Sequence, residues 1–208
     1  MNKKTIAVIF GGESPEYSVS LQSATSIIRA LDRNKYDVIP VGISQKGEWF
    51  QYIGDIELIE QDKWLDKELC NPIILSPDKS IHGLIGETNI IAVDVVFPVL
   101  HGKNGEDGTV QGLLELSGIP YTGCKVLASA LCMDKVRAHE LVNAKGIRSA
   151  KNIVITNLKN FDEVKKEVEN IGYPVFVKPV CAGSSYGISK IYKSDNLRSA
   201  IERAFRYD

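Results

Sequence analysis

The segment Phe176-Val-Lys-Pro-Val-Cys-Ala-Gly-Ser-Ser-Tyr-Gly-Ile-Ser-Lys190 places a lysine inside an apolar run and a small-residue turn five residues later. Gly183, Ser184, Ser185 and Gly187 allow backbone N–H groups and two hydroxyls to converge on one anion. Lys178 adds a point charge suited to phosphate. A lysine among Val175, Phe176, Val177 and Pro179 is expected to be paired or to face a ligand. The turn is longer than a tight hairpin needs. These features predict a strand, a loop and a strand that close over a nucleoside triphosphate. The alternative is a plain hairpin with a permissive Gly-Ser turn. Cys181 reads as a space-filler, with Lys178 as the basic neighbour that would lower its pKa.

Two further clusters carry polar chemistry. Gly11-Gly-Glu-Ser-Pro-Glu16-Tyr17-Ser-Val-Ser20 joins a predicted strand to a predicted helix. Glu16 there is either a carboxylate favoured by the helix dipole, with Ser14 and Ser18 as caps, or an acceptor for an ammonium group in a cleft. His101-Gly-Lys-Asn-Gly-Glu106-Asp-Gly108 follows another strand. A neutral His101 can donate to a carboxylate or phosphate, with Glu106 orienting its ring; the alternative is a satisfied turn histidine with polar neighbours. Lys135 and His139 share a helical face, where solvated and structural roles are the ordinary expectation.

These groups need a frame. Residues 5–10 form a short β-branched run ending in Gly11-Gly12, residues 18–31 have helical spacing, and residues 36–44 form a second strand. This order predicts a right-handed βαβ unit in a parallel sheet. Short strands are expected at 49–52 and 72–75, turns at 78–88, a strand at 93–100, a helix from 109 to 117 and a strand at 119–122. Both glycine-rich loops, 11–18 and 101–108, then lie beyond carboxyl ends of strands, where open α/β sheets bind ligands. Gly123 marks a boundary between domains 1–123 and 124–208. In the second, a helix is expected over 126–145 and a strand at 152–156. A helix at 161–170, strands at 175–179 and 188–192 and a helix at 196–205 complete an α+β lobe.

The composition of the 208 residues, 44% hydrophobic and 25% charged, is that of a globular chain with a sizeable core. A net charge of −1 gives no electrostatic footprint for nucleic acid or an anionic membrane. No apolar stretch approaches the roughly 20 residues of a membrane span. Cys70, Cys124, Cys132 and Cys181 show no C-x-x-C pairing, which argues against zinc and a disulfide framework and fits a reducing cytoplasm. The first loop is not G-x-G-x-x-G, so a dinucleotide-dependent oxidoreductase is disfavoured.

Taken together, the chain resembles the D-alanine–D-alanine ligase family of the ATP-grasp superfamily along its whole length. The resemblance rests on Phe10-Gly-Gly-x-Ser-x-Glu16 with Val19-Ser20 and on His101-Gly-x-x-Gly-Glu-Asp-Gly-Thr-x-Gln-Gly112. It also rests on Tyr121-Thr-Gly-Cys124, Met133-Asp-Lys135, and Lys178-Pro with Gly183-Ser-Ser-x-Gly187. The stretch from Glu16-Tyr17 and the segment 97–108 are most similar to the D-alanine–D-serine ligases of vancomycin resistance. Tyr17 stands where many relatives carry histidine or arginine.

The resemblance implies a Rossmann-like, pre-ATP-grasp parallel-sheet domain followed by a partial α+β ATP-grasp lobe. Glu16 would hold the amino group of the first D-alanine, and His101 would lie near its carboxyl, supported by Glu106 and Tyr17. Lys135, Lys178, Gly183, Ser185 and Gly187 would bind ATP, and Ser184 would bridge toward the first substrate. The family makes an acyl phosphate of D-alanine from ATP and joins it to a second D-amino acid, for cell-wall peptidoglycan precursors. The Mg²⁺ ligands would lie beyond Asp208, leaving none in this chain, so no turnover is expected of these 208 residues by themselves. A homodimer is implied by analogy, with the helix at 18–31 and the segment 113–116 as apolar contact faces. Another ATP-grasp carboxylate–amine ligase and a non-catalytic small-molecule-binding module are the alternatives.

Overall fold

The computed structural model describes residues 3–208. Strand β1 (Lys4–Gly11) is apolar without alternation because both of its faces are covered. Ile6, Val8 and Phe10 enter one core cluster, and Ala7 and Ile9 enter another. Helix α1 (Tyr17–Ala30) lays Leu21, Ala24 and Ile28 on the first of these faces. Strand β2 (Tyr36–Ile43) runs parallel to β1, from Lys4 opposite Tyr36 to Gly11 opposite Ile43. The expected βαβ unit is therefore present. The apolar face of α1 is buried within the unit. Leu116, 61% exposed, is the apolar side chain of 113–116 that faces outward.

The chain then meanders. Strand β3 (Trp49–Tyr52), the single turn α2 (Glu57–Glu60), β4 (Cys70–Leu75), β5 (Gly83–Gly86) and β6 (Ile90–Ala92) extend the sheet, each strand antiparallel to the one before. The turns expected at 78–88 hold a strand, because Leu84 and Ile85 pair with Leu75 and Ile74. Strand β7 (Val95–Pro98) returns to the free flank of β1, in parallel. Of the strand expected over 93–100, only β7 forms, and β6 ends before it at Ala92. At the break Asp94 takes the N–H of Thr5 at 2.8 Å and the ammonium of Lys4 at 2.8 Å.

The strand order is β6-β5-β4-β3-β2-β1-β7. Ala92 and Val95, at opposite ends of that order, are three residues apart, hence within about 11 Å. The sheet must curl until its ends meet. Ile73, Leu75, Leu84 and Val93 share a cluster with Ala7, Ile9, Val41, Val96 and Leu114. Helix α3 (Thr109–Ser117) supplies Val110 and Leu114 to that cluster. Residues 119–122 make only a bridge between Val96 and Tyr121, since Pro120 has no N–H to extend a ladder.

The chain divides into two compact units, Met1–Ala130 and Leu131–Asp208, with the division inside α4 (Val126–Met133). The single helix expected over 126–145 is two. Asp134 adopts an extended conformation and accepts the N–H groups of Val136 and Arg137, capping α5 (Lys135–Ala144). In the second unit α6 (Phe161–Ile171) and α7 (Leu197–Ala204), preceded by a 3₁₀ turn at Ser194–Asn196, pack Val168, Leu197 and Ile201 together. Strands β8 (Val175–Val177) and β9 (Ser189–Ile191) form an antiparallel pair. Among the described residues no third strand joins them: Ile153 and Ile155 reach the core by packing, so the strand expected at 152–156 is irregular chain. Among the described residues no helix is long and apolar enough to cross a membrane.

Candidate functional site

Strand β1 is the switch point of the parallel region: α1 leads from it to β2 on one side, and β7 lies on the other. The crevice between the loops after β1 and β7 is where such sheets take ligands. Gly11 opens the first loop at φ +87, and a Cβ there would stand 2.2 Å from the carbonyl oxygen of Ile43, so only glycine fits. Ser14 Oγ accepts the Glu16 N–H at 3.1 Å, and Ser14 O accepts the Tyr17 N–H at 3.1 Å. This turn delivers Glu16 to the start of α1 without a side-chain cap. Of the alternatives for Ser14 and Glu16, Ser14 therefore shapes the turn and the Glu16 carboxylate is left for other work.

Ser20 fastens the two loops to each other. Its hydroxyl accepts from the Gly11 N–H at 2.8 Å and donates to the Val99 carbonyl at 2.5 Å. The second loop then closes over the first: a Cβ on Gly102 would lie 2.4 Å from Glu16 Oε1 and 2.9 Å from Ser14 Oγ. Glu16 is 3% exposed, and its Oε2 has no hydrogen-bond partner. His101 Nε2 is likewise buried and unpartnered. One ligand-type atom from each of Glu16, His101 and Glu106 falls within 4.8 Å of the others. Glu106 does not orient His101 as expected. Its Oε2 accepts the Gly102 N–H at 2.8 Å, which holds the loop instead of the ring. Asp107 serves the same loop. Burial opposes its ionisation, but N–H donors from Asn104 and Thr109 outweigh this and hold its carboxyl below the usual range.

Tyr17 points the other way, into the core. Its hydroxyl donates to Asp62 Oδ1 at 2.9 Å and accepts from Trp64 Nε1 at 2.8 Å. Burial pushes its pKa up to about 12, opposed by the Trp64 donor and reinforced by Asp62. Trp64 is fully buried against Phe10, with ring centroids 5.0 Å apart. A chain of polar contacts therefore anchors the first residue of α1, next to Glu16. Sequence reasoning missed Ser20, Asp62 and Trp64. Ser20 could have been found as a serine on the apolar face of α1; Asp62 and Trp64 lie in a segment with no pattern of its own.

The second unit holds the other candidates. Lys135 begins α5, and its ammonium donates to the carbonyls of Ala182 at 2.7 Å and Val180 at 3.1 Å. It is a loop clamp, not the solvated helix-surface lysine expected from its residue type. Ser184, Ser185 and Gly187 have φ of +37, +64 and +70. A Cβ on Gly187 would stand 2.7 Å from the Tyr207 ring and 2.8 Å from Pro179. The Tyr186 and Ile188 N–H groups bond back to Gly183 and Ser185. Those of Gly183, Ser184, Ser185 and Gly187 have no acceptor among the described residues. Successive free N–H groups at positive φ form an anion-binding concavity. Lys178 is exposed, with its ammonium 5.6 Å from the Phe176 ring centroid. The Cys181 thiol is pushed up by burial and the nearby Asp208 and Asp134 carboxylates, with Lys135 opposing; Lys178 does not lower it. His139 Nδ1 lies 3.1 Å from Asn152 Nδ2, a structural contact.

Residues 5–124 match the family model of the D-ala D-ala ligase N-terminus, and residues 141–208 match that of the D-ala D-ala ligase C-terminus. The chain belongs to the D-alanine–D-alanine ligase family. It is 47% identical to a D-alanine–D-alanine ligase of Thermoanaerobacter sp. (strain X514), over all of this chain and 59% of that one. The vancomycin C-type resistance protein VanC1 of Enterococcus gallinarum is 46% identical over 98% of this chain and 59% of its own. Among solved structures, the VanG D-Ala:D-Ser ligase of Enterococcus faecalis superposes with a TM-score of 0.87 at 49% identity, over all of this chain and 61% of that one. This family member thus spans about three-fifths of the length of these relatives. The α/β architecture expected from the sequence, an N-terminal sheet domain followed by part of an ATP-grasp lobe, is the architecture of these ligases.

Proposed function

We propose that this chain carries the first-substrate floor and part of the ATP clamp of a ligase that joins D-alanine to a second D-amino acid, D-alanine or D-serine. The observation that carries the reading is the pair of buried, unpartnered atoms Glu16 Oε2 and His101 Nε2 at the switch point of the sheet. A buried carboxylate without a partner is costly and is offset by an ammonium group. Glu16 would hold the amino group of the first D-alanine, and His101 would hydrogen-bond its carboxylate. Glu106 keeps the loop closed through Gly102, and Tyr17 fixes the start of α1. A site offering one carboxylate and one imidazole suits a small amino acid better than the substrates of other ATP-grasp ligases.

The turn at 183–187 fits a phosphate, because it combines free N–H groups, two hydroxyls and positive φ at Ser184, Ser185 and Gly187. ATP would supply the phosphoryl group that activates the D-alanine carboxylate. Gly183, Ser185 and Gly187 would neutralise its charge, Lys178 would add a cation, and Ser184 would take part in the reaction. Lys135, whose ammonium bonds the Ala182 and Val180 carbonyls of this loop, would bind the ATP phosphates beside it. Mg²⁺ would accompany the ATP; among the described residues the only cluster of three potential metal ligands is Glu16, His101 and Glu106. The domain assignment 1–123 and 124–208, a cytoplasmic setting for four free thiols and a homodimeric assembly belong to the same reading.

Titration calorimetry with D-alanine tests it. Glu16→Gln should weaken binding at least tenfold, and equal affinity in both proteins removes Glu16 from the site. Nucleotide titration of Lys178→Ala does the same for the clamp: an unchanged affinity removes Lys178.

A further inference from the structure

We propose that Glu16, His101 and Glu106 also form a binding site for one divalent transition-metal cation of the Zn²⁺ class, and that this cation competes with the amino acid for the first-substrate floor. The three side chains converge from two loops, with one ligand-type atom of each within 4.8 Å of the others. Tetrahedral bonds of about 2.0–2.1 Å put neighbouring ligand atoms roughly 3.4 Å apart. The cluster therefore needs only a small contraction of side chains whose backbone is held by Ser14, Ser20 and the Gly102 N–H.

Two observations separate this cluster from an ordinary group of acids. Glu16 is 97% buried, taking its 3% exposure as the remainder, and its Oε2 has no partner. His101 Nε2 is a second buried atom with no partner. An imidazole with two carboxylates is a donor set of borderline hardness, and two negative charges balance a dication. No Lys or Arg ion pair engages Glu16 or Glu106 among the described residues. A metal uses the Glu16 and His101 lone pairs together, whereas an ammonium needs only the carboxylate. The fourth position is left for water.

The competition rests on the reading of Glu16 as the seat of the substrate's ammonium; the metal site itself does not. Co²⁺ is the probe, titrated into untagged protein with its exposed thiols alkylated, because Cys124, Cys132 and Cys181 are exposed. One saturable site with visible bands of a low-coordinate Co²⁺ complex is expected, weakened at least tenfold in Glu16→Gln and in His101→Asn. Glu106→Gln, which keeps an acceptor for Gly102, should weaken it less. The chain has three histidines, so NMR gives a reading free of substitutions: Co²⁺ should broaden and shift the His101 imidazole and spare His82 and His139. Absence of saturable binding, or an unperturbed His101 at saturation, overturns the site. Saturating D-alanine should raise the apparent Kd for Co²⁺ at least tenfold, and no displacement overturns the competition. D-alanine binding to metal-free protein is measured separately. Its failure beside intact Co²⁺ binding would count against the substrate reading and not against the metal site.

Discussion

The two units handle polar groups in opposite ways. In the first, Glu16 is buried, Glu16 Oε2 and His101 Nε2 are buried atoms without a partner, and a Cβ on Gly11 or Gly102 would collide with its neighbours. In the second, Lys178 is exposed, Ser184 and Ser185 lie on a loop at positive φ, and the Lys135 ammonium bonds that loop's Val180 and Ala182 carbonyls. The first unit fixes its polar groups on a sheet and a helix start, and the second presents them on a loop. Under the proposed reading, the first arrangement suits a small amino acid and the second a charged nucleotide.

The strongest way to break the contrast is through the core that supports the first site. Phe10→Ala removes a fully buried ring packed on Trp64 and Tyr52, and should cost about 3–5 kcal/mol in urea unfolding. A loss under 1 kcal/mol would mean that the first unit is not rigid. Next in size, Glu16→Gln should lose about 1.5–3 kcal/mol of D-alanine binding. The same change should raise thermal stability or leave it unchanged, because it removes a buried unpaired charge; a marked fall in Tm would show that Glu16 is structural.

Tyr17→Phe strands the Trp64 N–H and should cost about 1–3 kcal/mol. It also has a pH signature. A phenol raised from 10.0 to about 12 in the fold contributes stability that is complete below pH 10 and is lost as pH rises toward 12. The wild-type Tm should therefore fall more steeply than that of Tyr17→Phe between those values, and parallel curves would sink the assignment. The smallest effect is expected for Lys135→Met, about 1 kcal/mol from lost bonds to Val180 and Ala182. Hydrogen exchange of the Tyr186 and Ile188 amides should quicken while the first unit is unaffected. Equal protection in both proteins would mean the loop holds its shape without the clamp.

The same contrast governs what could be read from residues alone. Glu16, His101 and the 183–187 turn were legible because short glycine-rich links after strands leave few places for a side chain to go. The βαβ start was legible for a similar reason: β1 is short, apolar and followed by helical spacing. Partners set by the fold were not. Glu106 turned to the Gly102 N–H because that donor lies four residues away, while a bond to the ring depends on how the loop closes. The helix over 126–145 was misjudged because apolar spacing continues through Asp134, whose side chain prefers to cap the next turn. The strand β5 was hidden in a turn-rich segment whose pairing is decided by β4, and residues 152–156 have strand periodicity without a neighbour to pair with.

The curl that brings Ala92 and Val95 within three residues has a further consequence. Its terminal strands are short, three residues in β6 and four in β7, and Tyr121 bridges the flank of β7 at Val96. Little ladder is left at either edge for a stray extended peptide to copy, and Asp94, between the two strands in sequence, is held to β1 by Lys4 and the Thr5 N–H. Edges this short protect a sheet against templated β-aggregation.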